Sequence, residues 1–213
     1  WLGPKFLAQA EYIKETKPTK YRHEYLGEAV GSGTQVCENL RLEPISNKAI
    51  KNFDTIENGV DWGWYPDPFA YDCMTYIPSQ HKLIIFDEEH CNKKSNRETA
   101  ELLRTKHGVT SNDLITCDSA EQKSVGDYRA DGLMARSAEK GPGSVVYSMK
   151  WLQSLREIVI DNTRCPHTAQ EFLDYEYERD KDGNVISGYP DKDNHHIDAV
   201  RYAMNRVWKR RGE

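Results

Sequence analysis

Apolar residues in the middle of the chain fall into three closely spaced runs with strong β-propensity. The runs cover residues 59–65, 70–77 and 82–88, and proline-containing segments of the kind that form turns separate them. Because strands joined by short connections usually pair as antiparallel neighbours, we predict a three-strand antiparallel meander.

After the meander, segments with helical spacing alternate with short apolar runs. Ser95, followed by Glu98 three residues later, predicts a capped helix over residues 95–107 that Gly108 ends. The short runs predict strands over 114–117 and 156–160, and the spacing predicts helices over 119–128, 144–155, 166–173 and 195–209. The order βββαβαβα predicts an α/β fold in which parallel strands extend the meander.

The two ends of the pattern differ from this core. Residues 1–57 mix polar helical sequence with proline and glycine, so we interpret them as a connector and place the folded domain at residues 58–213. Near the other end, residues 175–179 and 185–186 flank Asp182 and Gly183, a strong turn signal. We therefore predict an added β-hairpin.

Composition narrows the class of protein. A length of 213 residues suits one domain with an appendage, and we expect neither a membrane span nor a secretory leader because long apolar runs are lacking. The 5 cysteines form no C-x-x-C pair, which favours free thiols in a reducing cytoplasm. A zinc site built from Cys165, His167, His90 and Cys91 is an alternative, although the spacing typical of such sites is missing.

The charge of the chain gives mixed evidence on whether it binds nucleic acid. The net charge of −5 is unlike the basic excess of most nucleic-acid binders. Acidic metal sites lower the charge of a metal-free protein, however, so the total does not decide the matter. Residues 195–213 are locally basic, with five Lys or Arg against two acids.

Three aspartates carry the candidate chemistry. Asp61 falls inside a predicted strand, Asp118 directly follows the strand over 114–117, and Asp198 lies three residues after His195 on the last helix. Each has an ordinary interpretation alone: a solvent-facing strand position, a helix cap, or an acid at a helix start. In the predicted topology they meet at one sheet edge, where carboxylates suit hard divalent cations.

Paired divalent ions would explain why three separated acids converge. Two such ions about 3.5 to 4 Å apart can clamp the attacking and leaving oxygens of a phosphoryl displacement. This arrangement requires a carboxylate that bridges both ions, and we expect Asp61 to be the bridge.

Several strings resemble one known family. CDSAEQKSVGDYRADG (117–132) resembles the second-acid block of the nuclease domain of tailed-phage large terminases, and NHHIDAVRYAM (194–204) resembles its third-acid helix. KGPGSVVYSMKWLQSL (140–155) is similar to the loop and helix between them, and NGVDWGW (58–64) to the first-acid strand. YRHEYLGE (21–28) resembles the junction that follows the packaging ATPase of that family.

The resemblance implies a fold, a reaction and a set of partners. The fold is a ribonuclease H-like mixed central sheet flanked by helices. Asp61, Asp118 and Asp198 would be catalytic metal ligands for two Mg²⁺ or Mn²⁺ ions, with His195 an ancillary ligand or proton-handling group. The activity would be endonucleolytic cleavage of concatemeric double-stranded DNA, with little base specificity, during genome packaging. Partners would be the portal protein, the small terminase subunit and the ATPase domain of the same full-length chain, in the host bacterial cytoplasm.

Basic residues supply candidate DNA contacts. Lys123 and Arg129 lie in the second-acid block and could contact phosphate or pair with neighbouring acids. Lys209 and Arg210 form the basic end of the last helix, and the predicted hairpin is a further candidate. No G-x-x-x-x-G-K-[ST] phosphate loop is present, since residues 31–34 lack the lysine, so this chain is not the packaging motor.

Three other functions remain open on the residues alone. A Holliday-junction resolvase or transposase would share the acidic metal site. A non-catalytic module that docks on portal protein or DNA would make the acids incidental. An actin-like phosphotransferase also begins with D-x-G, but it needs further glycine-rich phosphate loops, which the sequence lacks.

Overall fold

A mixed β-sheet forms the centre of the protein. The computed structural model describes Glu11, Lys14, residues 35–186 and residues 188–209. Within these residues the strands are β1 (Leu40–Leu42), β2 (Glu57–Asp61), β3 (Phe69–Ile77), β4 (Lys82–Cys91), β5 (Leu114–Cys117), β6 (Met134–Ser137) and β7 (Glu157–Ile160). Their spatial order is β1-β7-β4-β3-β2-β5-β6. Only β3 runs antiparallel to its neighbours, β2 and β4.

The predicted meander is confirmed, with one correction that concerns the site. Strand β2 ends at Asp61, whereas the sequence predicted a strand through residue 65 with Asp61 in its middle. The backbone packs closely at Gly63, where a Cβ atom would lie 2.2 Å from the carbonyl oxygen of Pro68, and the chain bends over residues 65–67. Asp61 is therefore at the carboxyl end of its strand.

Two short strands were not predicted, and both lie at the sides of the sheet. β1 pairs with β7, and β6 pairs with β5. Val36 and Cys37, just before β1, are buried in the core. The folded core thus begins before Gly59, and the prediction that residues up to 57 form only a connector is wrong for residues 36–57. β1 escaped prediction because Arg41 interrupts its apolar pattern and instead pairs with Glu157 on β7.

Helices cover both faces of the sheet. They are α1 (Asn47–Ile50), α2 (Asn96–Thr105), α3 (Gln122–Ala130), α4 (Ser144–Ser154), α5 (Pro166–Asp174), α6 (His195–Ala203) and α7 (Asn205–Lys209). The capping box of Ser95 and Glu98 on α2 is confirmed. One core cluster includes buried residues of α4, α5 and α6, and a second includes buried residues of α2 and α3. Among the described residues, no helix is long and apolar enough to cross a membrane.

Two predicted elements near the end of the chain are less regular than the sequence predicted. The single helix predicted over 195–209 is interrupted at Met204, which separates α6 from α7. The predicted hairpin makes its turn, with Gly183 at φ 84°, and the described part of its arms pairs through an isolated antiparallel bridge between Arg179 and Val185. It projects as a turn rather than as two extended strands.

Candidate functional site

Three elements bring the predicted acids to one edge of the sheet. Asp61 ends β2, and Asp118 directly follows β5, the parallel neighbour of β2, with its backbone N–H donating to the carbonyl of Val60 at 3.3 Å. Asp198 lies on α6, which packs across β2. The carboxyl ends of neighbouring parallel strands therefore carry two acids, and the helix above them carries the third.

The acids are close enough to influence one another electrostatically. Burial raises the pKa of Asp61, and the negative charges of Asp198 and Asp118 raise it further. The hydroxyl of Tyr202 donates to Asp198 Oδ2 at 3.3 Å. Burial raises the pKa of Tyr202, and the negative charges of all three carboxylates raise it further. Tyr202 therefore contacts Asp198, and Asp61 and Asp118 are near enough to affect the pKa of its hydroxyl.

A basic side chain accompanies each of these carboxylates. The pairs are Asp61 with His195, whose Nδ1 lies 3.1 Å from Oδ2, Asp118 with Lys140, and Asp198 with Arg201. In the portion of the chain that the structure describes, these three acids do not form a group whose ligand atoms all lie within 4.8 Å of one another. Their negative charges are instead partly balanced by the neighbouring cations.

His195 joins the first acid to the third-acid helix. The hydrogen bond with Asp61 raises the pKa of His195 despite partial burial. Its other ring nitrogen, Nε2, lies 3.7 Å from Asp67 Oδ1. His195 therefore lies beside the predicted acids, although no metal ligation by it is established.

Lys140 is a site residue to which the sequence assigned no role. Its ammonium group pairs with Asp118 and lies 4.7 Å from the centre of the Tyr202 ring. The preceding residue, Glu139, is held by Asn205: its backbone N–H donates to Asn205 Oδ1 at 3.0 Å, and its carbonyl accepts from Asn205 Nδ2 at 3.0 Å. The interruption between α6 and α7 places Asn205 for this paired contact.

The predicted DNA-contact residues have different surroundings. Lys123 is exposed on α3 and lines a cleft. Arg129 is exposed and its Nε donates to the carbonyl of Ala135 at 2.8 Å, while Lys209 pairs with Glu139. Arg210 lies outside the described residues. Contact with DNA stays a prediction for all four.

A buried polar cluster lies beneath α6 and was not foreseen. Asp72 on β3, Glu88 on β4 and His196 on α6 form, among the described residues, the one group of acids and histidines with ligand atoms all within 4.8 Å. The hydroxyl oxygen of Thr168 lies 2.6 Å from Asp72, 2.7 Å from Glu88 and 3.2 Å from His196. Thr168 therefore fills the centre of the group, which makes it a hydrogen-bonded anchor for α6 rather than a metal site.

Burial and pairing act in opposite directions on the Asp72–His196 pair of this cluster. Burial raises the pKa of Asp72 above its ordinary value, although His196 and Thr168 act to lower it. Burial lowers the pKa of His196, but Asp72, 2.9 Å away, outweighs this effect and raises it to about 9. Burial raises the pKa of Glu88, but hydrogen bonds from Thr168 and from the backbone of His167 bring it below its ordinary value. Acids inside the apolar strands were the sequence signal that could have revealed the cluster.

The histidines of the alternative zinc site lie beside this cluster. The rings of His90 and His167 stack at 4.1 Å, and His90 Nδ1 lies 3.0 Å from His196 Nε2. Cys165 and Cys91 are free thiols, and neither belongs to the metal-compatible group found among the described residues. A zinc site with cysteine ligands is therefore not supported.

Sequence comparison finds similarity to phage terminases. The family described as "Terminase RNAseH like domain" matches residues 61–206. The terminase large subunit of Bacillus phage SPP1 is 39% identical over 216 aligned residues, which cover 100% of this chain and 51% of that protein. The PBSX phage terminase large subunit of Bacillus subtilis (strain 168) is 28% identical, covering 96% and 48%. The chain thus spans about half the length of the curated relatives it matches.

Structural comparison also finds similarity to large terminases. The crystal structure of the large terminase nuclease domain from bacteriophage SPP1 with bound Mn has a TM-score of 0.74 and 36% identity, covering 80% of this chain and 97% of that one. The large terminase of a thermophilic bacteriophage has a TM-score of 0.61 at 16% identity, covering 97% of this chain and 53% of that one. The second similarity supports the fold alone.

Proposed function

The chain belongs to the terminase ribonuclease H-like domain family, and from this premise we propose that it is a metal-dependent DNA endonuclease. The observation that carries the proposal is that Asp61 and Asp118 lie at the ends of neighbouring parallel strands, with Asp198 on the helix that packs across β2. The SPP1 nuclease domain with bound Mn supports a divalent cation as cofactor.

The residues of the site fit divalent cations. Mg²⁺ and Mn²⁺ prefer oxygen ligands, and three carboxylates from three elements supply them. The raised pKa of Asp61 reflects burial and negative neighbours, which is the environment that a cation would relieve. We propose that Asp61, Asp118 and Asp198 would hold two Mg²⁺ or Mn²⁺ ions, with His195 as ancillary ligand or proton-handling group.

The reaction is hydrolysis of a phosphodiester. Water adds to phosphorus, the bond to the 3′-oxygen breaks, and that oxygen takes a proton, so the products are a 3′-hydroxyl and a 5′-phosphate. Divalent ions supply charge stabilisation and activation of the water. His195 holds the Asp61 carboxylate in place, and Lys140 and Arg201 position Asp118 and Asp198.

The family suggests the biological setting. We propose that the substrate is concatemeric double-stranded DNA, cut with little base specificity during genome packaging in the host bacterial cytoplasm. The proposed partners are the portal protein, the small terminase subunit and an ATPase domain of the full-length chain. Residues 1–57 would include the junction to that ATPase domain, although residues 36–57 also belong to the nuclease core.

Nicking of supercoiled plasmid in Mg²⁺ or Mn²⁺ tests the activity. Wild-type protein should convert the plasmid to open-circle and linear forms, whereas Asp198→Ala and the isosteric Asp198→Asn should abolish cleavage with the fold retained. Asp54→Ala removes an exposed acid elsewhere and should cleave like wild type. Cleavage by both Asp198 variants would remove the assignment, and a strong preference for four-way junctions over linear duplex would favour a resolvase.

Metal binding provides a readout that does not depend on cleavage. Mn²⁺ should raise the melting temperature of wild-type protein, because a ligand that binds only the folded state stabilises it. The rise should be lost in Asp61→Asn. A crystal soaked in Mn²⁺ should show two anomalous peaks between Asp61, Asp118 and Asp198, and a single peak would overturn the two-ion proposal.

A further inference from the structure

Two large aromatic side chains stand exposed on the loop that joins β2 to β3. Trp64 has 58% of its surface exposed and Tyr65 has 66%. Lys93 Nζ lies 4.5 Å from the centre of the Tyr65 ring, whereas the ring of Trp64 has no stacking or cation contact within the described residues. The loop is therefore a candidate recognition element.

The backbone of this loop is held in one shape. Asn92 Nδ2 lies 3.3 Å from the carbonyl oxygen of Trp64, 3.3 Å from that of Pro66 and 3.0 Å from that of Asp67. The backbone N–H of Lys93 also donates to the carbonyl of Trp64 at 2.9 Å. The aromatic rings are thus presented from a preorganised base, which lowers the entropy lost on binding.

The loop borders the proposed metal site at both of its ends. It begins directly after Asp61, and near its other end Asp67 Oδ1 lies 3.7 Å from His195 Nε2. The loop therefore lies beside the place where the proposed nuclease would hold a DNA phosphate at Asp61. Because the loop borders this site, DNA is the ligand that we expect the aromatic rings to contact.

A cleft of about 620 Å³ lies between the loop, the amino-terminal end of α2 and one side of α3. Its lining includes three cations and three acids, namely Lys94, Arg97, Lys123, Glu121, Asp127 and Asp131. Asp127 accepts a hydrogen bond from Asn96 at 2.8 Å, and Glu121 accepts one from Ser124 at 3.2 Å. None of the three cations makes an ion pair with another described residue, so their charged groups can contact phosphate.

We propose that this cleft binds a short single-stranded segment of DNA next to the cleavage position. Trp64 stacks on an unpaired base, and Lys94, Arg97 and Lys123 contact the phosphates that follow it. A duplex hides its base faces, whereas a single strand offers them to aromatic side chains in any sequence. The inference rests on the proposed nuclease function and assigns the strand a path beside the site.

Binding measurements with defined DNA ends test the path. In Ca²⁺, the labelled probes are a blunt duplex, the same duplex with a single-stranded overhang, and the single strand alone, each followed by fluorescence anisotropy. Trp64→Ala should weaken binding of the overhang and single strand roughly tenfold, because the ring on which the base stacks is lost. Trp64→Phe should largely restore it. Binding of the blunt duplex should change little.

A matched control separates stacking from general surface effects. Tyr147 on α4 is 41% exposed and lies outside the cleft, so Tyr147→Ala should bind all three probes like wild type. Lys94→Gln should reduce the salt dependence of overhang binding, because each lost phosphate contact removes one unit of counterion release at most. Intrinsic tryptophan fluorescence should be quenched by single-stranded DNA more strongly in wild type than in Trp64→Phe, which keeps Trp62 in the cleft.

Two outcomes would overturn the inference, and neither is the failure of nuclease activity. The first is equal affinity of Trp64→Ala and wild type for the overhang. The second is equal affinity of wild-type protein for the blunt duplex and the overhanging duplex. Plasmid nicking by wild-type protein is scored separately. If wild-type protein nicks plasmid but Trp64→Ala binds the overhang as tightly as wild type, the nuclease function stands and the proposed role of this cleft is ruled out.

Discussion

A Cβ atom on Gly59 would lie 1.8 Å from the carbonyl oxygen of Ala199, so the backbone of β2 is in direct contact with the backbone of α6. Residues two apart on a strand share a face, so Asp61 faces the same helix as Gly59. Asp198 directly precedes Ala199 on that helix. This close approach is therefore what brings the first and third acids together.

Gly59→Ala should displace α6 and weaken both the fold and the site. An added methyl group in a space with no room typically costs about 1–3 kcal/mol in unfolding free energy, and plasmid cleavage should fall with it. Gly126→Ala on α3 is the matched control, because a Cβ there meets nothing within 4 Å. Urea denaturation compares the two, and equal stability of both variants would contradict the contact.

Thr168→Val should destabilise the protein because it removes the hydroxyl shared by two buried carboxylates. Asp72 and Glu88 both lie within 2.7 Å of that oxygen. Loss of a buried hydrogen-bond donor costs about 1–3 kcal/mol, and Thr168→Ser should recover most of it. Chemical denaturation measures the difference, and a valine variant as stable as wild type would show that the cluster does not anchor α6.

His107→Gln should reduce stability in a way that depends on pH. Burial lowers the pKa of His107, but hydrogen bonds to Asp87 and Glu89, at 2.8 and 2.9 Å, outweigh it and raise the pKa above its ordinary 6.5. A raised folded-state pKa adds stability that is complete below the unfolded pKa and is lost as pH rises through the folded pKa.

Glu89 sets the lower limit of this pH window. Burial raises its pKa, but hydrogen bonds from Lys106 and His107 bring it below its ordinary 4.5, so its contribution is present above that pH and lost on acidification. The cost of His107→Gln should therefore be largest between 4.5 and 6.5, on the order of 1 kcal/mol. Urea melts at about pH 5.5 and about pH 8.5 measure it, and a cost independent of pH would contradict the assignment.

Asn92→Ala should loosen the loop that carries Trp64. The side-chain amide of Asn92 lies within hydrogen-bond distance of three loop carbonyls, and its removal costs about 1 kcal/mol of local stability. Backbone amides of residues 62–68 should exchange faster in hydrogen-exchange experiments, while those of β5 should be unchanged. Faster exchange throughout the sheet would indicate global unfolding instead.

The central strands were predictable because their signals are local. Apolar runs and turn residues located β3, β4 and β5 to within a few residues, and the ribonuclease H-like α/β class is confirmed. β1 and β6 were missed because both are short and contain arginines whose partners lie on other strands. Arg41 pairs with Glu157, and Arg136 donates to Thr116 at 3.0 Å.

The three aspartates and the family resemblance could be identified from the sequence, whereas the residues that position the aspartates could not. The resemblance to terminases is confirmed, and the three aspartates do share a neighbourhood. Lys140 and Asn205 show no spacing pattern that links them to the acids, because their contacts cross from one element to another. The roles of Asp61, Asp118, Asp198 and His195 as metal ligands stay a prediction.

The place of β1 in the sheet governs how the protein can be shortened. A fragment that starts at Gly59 would remove β1 and leave β7 with a row of unpaired backbone N–H and C=O groups. Such an open border invites pairing with another molecule and aggregation. Three residues that resemble linker thus shield the sheet from self-association.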